Sequence, residues 1–171
     1  MTFNSTKVLS FTILLLCFIS VFSIQLQANE KKDETAINNI IQNFKDSIEN
    51  KDDSLFLSLF HSSNVSWVGV ISDETLETLI SLDPKFKQQP KIMNSTPNEF
   101  IQNIVSSKQQ SKEVFKDIQI FQDGEVASVS FNYDFYKDEK LTNYGQEHWQ
   151  LINTSEGWKI NAVNFSFSRV F

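Results

Sequence analysis

Glu147 is the side chain of this sequence best placed to move a proton. In Tyr144-Gly145-Gln146-Glu147-His148-Trp149 it stands two residues before Trp149, and on a strand residues two apart share a face. A carboxyl among aromatic rings is costly to ionise, so its pKa rises and it can serve as a general base or acid. The same position also reads as a glutamate satisfied by hydrogen bonds, or exposed near its strand's start, and both readings stay open. His148 supplies an imidazole, the group most ready to titrate near neutral pH. Its companion in phase is Gln146, so it reads equally as a catalytic histidine or as one on an outward surface or dimer interface. His61 follows Phe60 at the end of a helical segment, where a cation favours the helix C-terminus. Two isolated histidines with no paired ligand motif predict no metal, and nothing in the sequence predicts a cofactor.

Around these groups the strand alternation assembles aromatic residues. Ala127, Val129, Phe131, Tyr133 and Phe135 fall in one phase, Trp149 and Leu151 in another, and Trp158, Ile160 and Ala162 in a third. All are expected on one buried face. Asn164 and Ser166 continue the phase of Trp158, so they are expected inward with Glu147. Trp67, Phe131, Tyr133, Trp149, Trp158 and Asn164 are the candidate ligand-binding set, a box for a flat apolar molecule. The same rings read as plain core. Tyr133 says more than the others, since a buried hydroxyl needs a partner. Asp134, between Tyr133 and Phe135, is expected outward.

The elements that position them follow from periodicity. Ile37, Ile40, Ile41, Phe44 and Ile48 recur at three and four, the stripe of an amphipathic helix. Asp52 or Asp53 then caps a short helix bearing Leu55, Phe56, Leu59 and Phe60. Val65 to Ser72 is β-branched and aromatic and predicts a strand, with Gly69 as a possible bulge. A short helix around Leu76, Leu79 and Ile80 stops at Asp83-Pro84, and Lys85 to Ser95 has no period and predicts a loop or lid. Thr96-Pro97-Asn98-Glu99 is a capping box that opens a helix with Phe100, Ile101, Ile104 and Val105 inward. Four strands follow, Glu113–Gln122, Glu125–Tyr136, Leu141–Asn153 and Trp158–Ser168, joined by turns at Asp123-Gly124, Lys137–Lys140 and Ser155-Glu156-Gly157. Helices first and an antiparallel meander after give the α+β class.

The 171 residues suit one domain, and 40% hydrophobic with 21% charged residues excludes a disordered or coiled-coil chain. A net charge of −6 without a Lys/Arg cluster excludes nucleic acid as the partner. Residues 1–28 hold the single charge Lys7, an apolar stretch from Val8 to Ile24 and a polar tail ending at Ala28, the layout of a secretory signal peptide. Its cleavage after Ala28 predicts a single domain over residues 29–171, periplasmic or secreted, with no stable membrane insertion. An uncleaved anchor is the alternative. Cleavage removes Lys7 and Cys17, shifting the net charge from −6 to −7 and leaving no cysteine. The alternating tail Phe165 to Phe171 is reminiscent of an outer-membrane strand, but four strands do not close a barrel.

Asp123-Gly124-Glu125-Val126-Ala127, then Tyr144-Gly145-Gln146-Glu147-His148-Trp149, then Glu156-Gly157-Trp158-Lys159-Ile160 stand in the order found in the NTF2-like superfamily. The chain resembles that superfamily over residues 35–168, and its SnoaL-like branch most. The resemblance implies a cystatin-like cone, with N-terminal helices packed in a curved antiparallel sheet, a pocket at the open end and often a homodimer through the sheet. It does not select a function, because the superfamily spans isomerases, cyclases, dehydratases, transport factors and binding domains. Members with isomerase or cyclase activity use a carboxylate on the pocket wall, and no Asp here aligns with it. Segment 73–96 is also longer than the usual link. The leading expectation is binding of a small, largely apolar molecule or peptide in the cone. The alternatives are an enzyme of the isomerase, cyclase or dehydratase kind, with Glu147 as base and Tyr133, His148 or Asn164 stabilising the oxyanion, and a dimerisation or assembly module.

Overall fold

The computed structural model describes residues 30–171. The expected signal segment, 1–28, lies outside the described residues. Helix α1, described over residues 30–50, buries the predicted stripe of Ile37, Ile40, Ile41, Phe44 and Ile48. It ends at Lys51, whose positive φ turns the chain, and Asp52 then accepts the Leu55 N–H to cap α2 (Asp53–Ser58). β1 (Ser66–Ile71) leads into α3 (Asp73–Leu82), which Ser72 caps, and a 3-10 turn follows over Pro84–Gln88. α4 (Pro97–Val105) is capped by Thr96, which accepts the Glu99 N–H. The Glu99 carboxylate bonds the Ser95 hydroxyl instead of completing a reciprocal capping box.

The segment expected as a loop or lid is more ordered than its composition suggests. Besides the 3-10 turn it contains β2 (Ile92–Asn94), which pairs antiparallel with β1 and forms one edge of the sheet. Three residues are too few for a periodicity to register, and the strand exists because β1 offers it an open edge. Gly69 is not a bulge, since Val68, Gly69 and Val70 pair in continuous register with β2.

β3 (Ser111–Gln122), β4 (Val126–Lys137), β5 (Lys140–Thr154) and β6 (Gly157–Arg169) form the predicted meander. The full order is β2-β1-β6-β5-β4-β3, with β1 parallel to β6 and every other pair antiparallel. Asp138 and Glu139 both have positive φ in the two-residue turn from β4 to β5, the twist that a tight hairpin needs.

Three register shifts curve the sheet, at Lys116/Gln119, Phe135/Tyr136 and Gln150/Leu151. At the first, Asp117 takes a positive φ and accepts a hydrogen bond from Asn132. The third decides which way the end of β6 faces. Leu151 pairs with Ile160 while Gln150 pairs with Ala162, so Asn161 is extra and the alternation inverts beyond it. Trp158 and Ile160 are buried, as are Val163 and, in part, Phe165 and Phe167, whereas Asn164 and Ser166 are exposed. The expected inward phase of Ala162, Asn164 and Ser166 is therefore corrected: Ala162 is only half-buried, and the other two lie on the convex face. This is an α+β cone whose sheet wraps α1, α2 and α4.

Candidate functional site

The inner face of the sheet has two regions. Toward one end Val129, Leu151, Ile160 and Trp158 close on α1, where the Trp158 indole donates to Asp33 at 3.0 Å. Toward the other end the helices do not fill the cone. A cavity of about 370 Å3 remains, bounded by Phe44 of α1, Phe100 and Asn103 of α4, Trp67 of β1, Met93 of β2 and the inner residues of β3 to β6. Two glutamates enter its wall, Glu147 from β5 and Glu113 from β3.

Both are buried, 4% and 5% exposed. Glu147 accepts a 2.6 Å hydrogen bond from the Trp149 indole N–H. Burial nevertheless dominates and raises its pKa to about 7, with the indole bond pulling the other way. Glu113 is raised well above the ordinary carboxylate range, first by burial and then by the charge of Glu147. Its Oε2 has no hydrogen-bond partner, as does the hydroxyl of buried Ser111 two residues earlier. Both carboxyls are therefore harder to ionise than ordinary glutamates. One can donate while the other accepts.

Tyr133 lines the cavity between them and donates to the Ser166 carbonyl at 2.9 Å. That reach depends on Gly145, its register partner on β5. A Cβ at Gly145 would lie 2.0 Å from the same Ser166 oxygen, so β5 and β6 pass each other there with room for hydrogen only. Gly145→Ala is expected to cost about 1–3 kcal/mol, by forcing the strands apart and breaking the tyrosine bond. Urea unfolding alongside Tyr133→Phe checks this, since the tyrosine variant removes the bond without the clash. Burial also pushes the Tyr133 hydroxyl far above its usual pKa, so it stays protonated throughout the physiological range.

Among the sequence-derived candidates, Glu147, Trp67 and Tyr133 line the cavity. Phe131 and Trp149 stand behind it: Phe131 stacks on Phe115 at 4.0 Å, and Trp149 packs against Phe44 while holding Glu147. Trp158 belongs to the closed end. His148 is exposed on the convex face, 3.2 Å from Gln146 and opposite Asn164 in register. Neither His148 nor Asn164 faces the cavity. Asp134 points outward, as expected, and pairs with Lys116.

Sequence reasoning missed Glu113, Asn103, Asn143 and Met93. One signal was present for Glu113, which precedes Phe115 by two residues on a strand just as Glu147 precedes Trp149. Among the described residues no group of three or more His, Cys, Asp or Glu is arranged to hold a metal. No described helix is long and apolar enough to cross a membrane.

A six-stranded curved sheet around helices, with a cavity at its open end, defines an α+β cone. It is the NTF2-like, cystatin-like fold. An NTF2-like protein with a cystatin-like fold from Novosphingobium aromaticivorans aligns over 84% of this chain and 86% of its own, with a TM-score of 0.61 and 8% identity. A second protein of that organism, provisionally named a scytalone dehydratase, aligns over 84% and 89%, with a TM-score of 0.61 and 11% identity. A cystatin-like protein of unknown function from Nostoc punctiforme aligns over 80% and 91%, with a TM-score of 0.55 and 12% identity. At such identities the likeness is one of fold alone. No family model matches the sequence, and no curated protein matches it.

Proposed function

We propose that this chain binds a small, largely apolar molecule in the open end of the cone, with the ligand's polar end against Glu113 and Glu147. The observation that carries the reading is the aromatic-walled cavity of about 370 Å3 with two buried carboxyls in its wall. Rings alone would serve a core. Carboxyls buried without full partners destabilise a fold, so their presence in an open cavity favours a ligand that uses them. In this reading the protein is of SnoaL-like type, is exported after loss of residues 1–28, and works in the periplasm or outside the cell as the single domain 29–171.

Native mass spectrometry of the protein purified from its own source tests both parts. The expected result is a chain lacking residues 1–28 that carries an added mass of a few hundred daltons, absent from Asn103→Trp. Asn103 is exposed on α4 yet lines the cavity, so an indole there blocks the mouth without entering the core. Bare wild type under conditions that keep it folded, or equal loading of the variant, would count against binding in this cavity.

A second reading is favoured by the Glu147 pKa of about 7. A carboxyl poised there is suited to general acid-base work, and proton transfer of the isomerase or dehydratase kind would use it. Glu147 would take a proton from the substrate while Glu113, in its protonated form, would donate to the oxygen where charge develops. Some solved proteins of this fold are provisionally named dehydratases. Glu147→Gln would then abolish turnover of the bound compound while leaving its binding in place.

A further inference from the structure

We propose that the cavity selects an organic cation, an ammonium carried on an aromatic or alicyclic body, with the ammonium donating to Glu113 and the body lying against the wall formed by Trp67 and Phe100. This rests on the cavity-binding reading above and names its ligand class. The first support is the charge of the wall. Among the described residues its ionisable groups are Glu113, Glu147 and Tyr133, all acids, and no described Lys, Arg or His lines it. Among the described residues, none that lines the cavity carries a positive charge to neutralise either carboxylate. A ligand can.

The second support is the unpartnered oxygen. Glu113 is 5% exposed, lines the cavity, and has Oε2 without a hydrogen bond. The terminal torsion of a glutamate is broad and roughly two-fold, so its rotation can exchange the two oxygens before a donor in the cavity. A purely apolar ligand would seal that oxygen away from water for good, and a carboxylate ligand would add a third acid to two. An ammonium instead brings up to three donors and a compensating charge. The amide of Asn143 adds an acceptor, since its Nδ2 already donates to Thr142 and its carbonyl oxygen remains for the ligand.

The third support is the aromatic wall. Trp67 and Phe100 have ring centroids 5.1 Å apart, and Phe165 meets Trp67 edge-on at 6.4 Å. Ring faces attract cations most where water is excluded, and Trp does so best. Gly69 helps set this wall. A Cβ there would come within 2.5 Å of the Phe165 ring and 2.8 Å of the Met93 methyl, so its bareness lets both side chains lie over β1.

Three probes of one shape separate the possibilities by calorimetric titration of the purified protein: tryptamine, tryptophol and indole-3-acetate. Tryptamine is expected to bind at least about tenfold tighter than tryptophol, with indole-3-acetate weaker than both. Tryptamine affinity should also rise with pH while the amine stays protonated, because the ammonium needs a carboxylate that a proton otherwise occupies. In Glu113→Gln, whose fold is checked by circular dichroism, the preference for the amine over the alcohol should vanish. Tryptophol binding as tightly as tryptamine would overturn the cation inference and leave the cavity reading standing. If no probe binds and Asn103→Trp matches wild type in native loading, the cavity reading falls with it. Should Glu113→Gln fail to fold, the ranking of the probes on wild type still decides.

Discussion

Unfolding free energy is expected to fall by about 3 kcal/mol as pH rises from about 4.5 through about 7. The cause is Glu147, whose pKa is about 7 in the folded chain against an ordinary value of 4.5. The folded state binds this proton more tightly than the unfolded state does. The stabilisation is therefore fully present below the unfolded pKa and is lost as pH climbs to the folded one. Glu113, raised in the same direction, steepens the slope. Most domains lose stability in acid because their carboxylates are paired, so a contribution of the opposite sign is diagnostic of these two. Glu147→Gln keeps an oxygen for the Trp149 indole and removes the titration, so it should flatten the profile and raise stability at pH 8. Urea midpoints of both proteins at the two ends of the range give the answer. An unchanged slope in the variant would show that Glu147 ionises freely in the fold.

Phe44→Ala is expected to cost about 3–5 kcal/mol, lowering Tm by ~10 °C or more. The ring is fully buried, with centroids 4.7 Å from Trp149, 4.9 Å from Phe56 and 5.9 Å from Phe115. It also lines the cavity, so its loss joins a new void to an existing one that the backbone cannot close. Thermal unfolding followed by circular dichroism measures the effect. A drop of under about 1 kcal/mol would mean that Phe100 and Phe115 swing in to fill the space. Because Phe44 belongs to α1 and Glu113 and Glu147 to the sheet, this ring couples helix packing to the shape of the pocket.

The parts of the site that were legible in the sequence are those that local alternation settles. Glu147 faces inward because it shares a phase with Trp149, and Tyr133 does so because it shares one with Phe131 and Phe135. Trp67 lies on a strand whose apolar content is plain. Asn164 was misplaced by a single residue: the extra Asn161 inverts the alternation of β6, and no composition marks it. Phe165 and Phe167 then face the cavity in its stead. Glu113 was legible in principle, from its spacing to Phe115, but its meaning depends on Glu147 lying across the same cavity. Asn103 and Asn143 carry no local signal, because an asparagine on a helix or strand is ordinarily a solvated residue.

What the sequence by itself determined is the α+β order, the amphipathic stripe of α1, the aspartate cap of α2 and the Thr96 cap of α4, and the meander with its turns. These rest on interactions among residues close in the chain, where propensity, capping and period have direct force. Only the tertiary structure decided that β1 runs parallel beside β6, that β2 forms at its edge, and that three bulges bend the sheet into a cone. Only it brought two glutamates, 34 positions apart in the sequence, into one aromatic cavity and left one of them without a partner. Such features depend on which distant surfaces meet, and on bulges that restore pairing after an extra residue. A one-residue slip in a strand exchanges core for solvent, so local pattern sets the faces while long-range packing sets where each pattern begins.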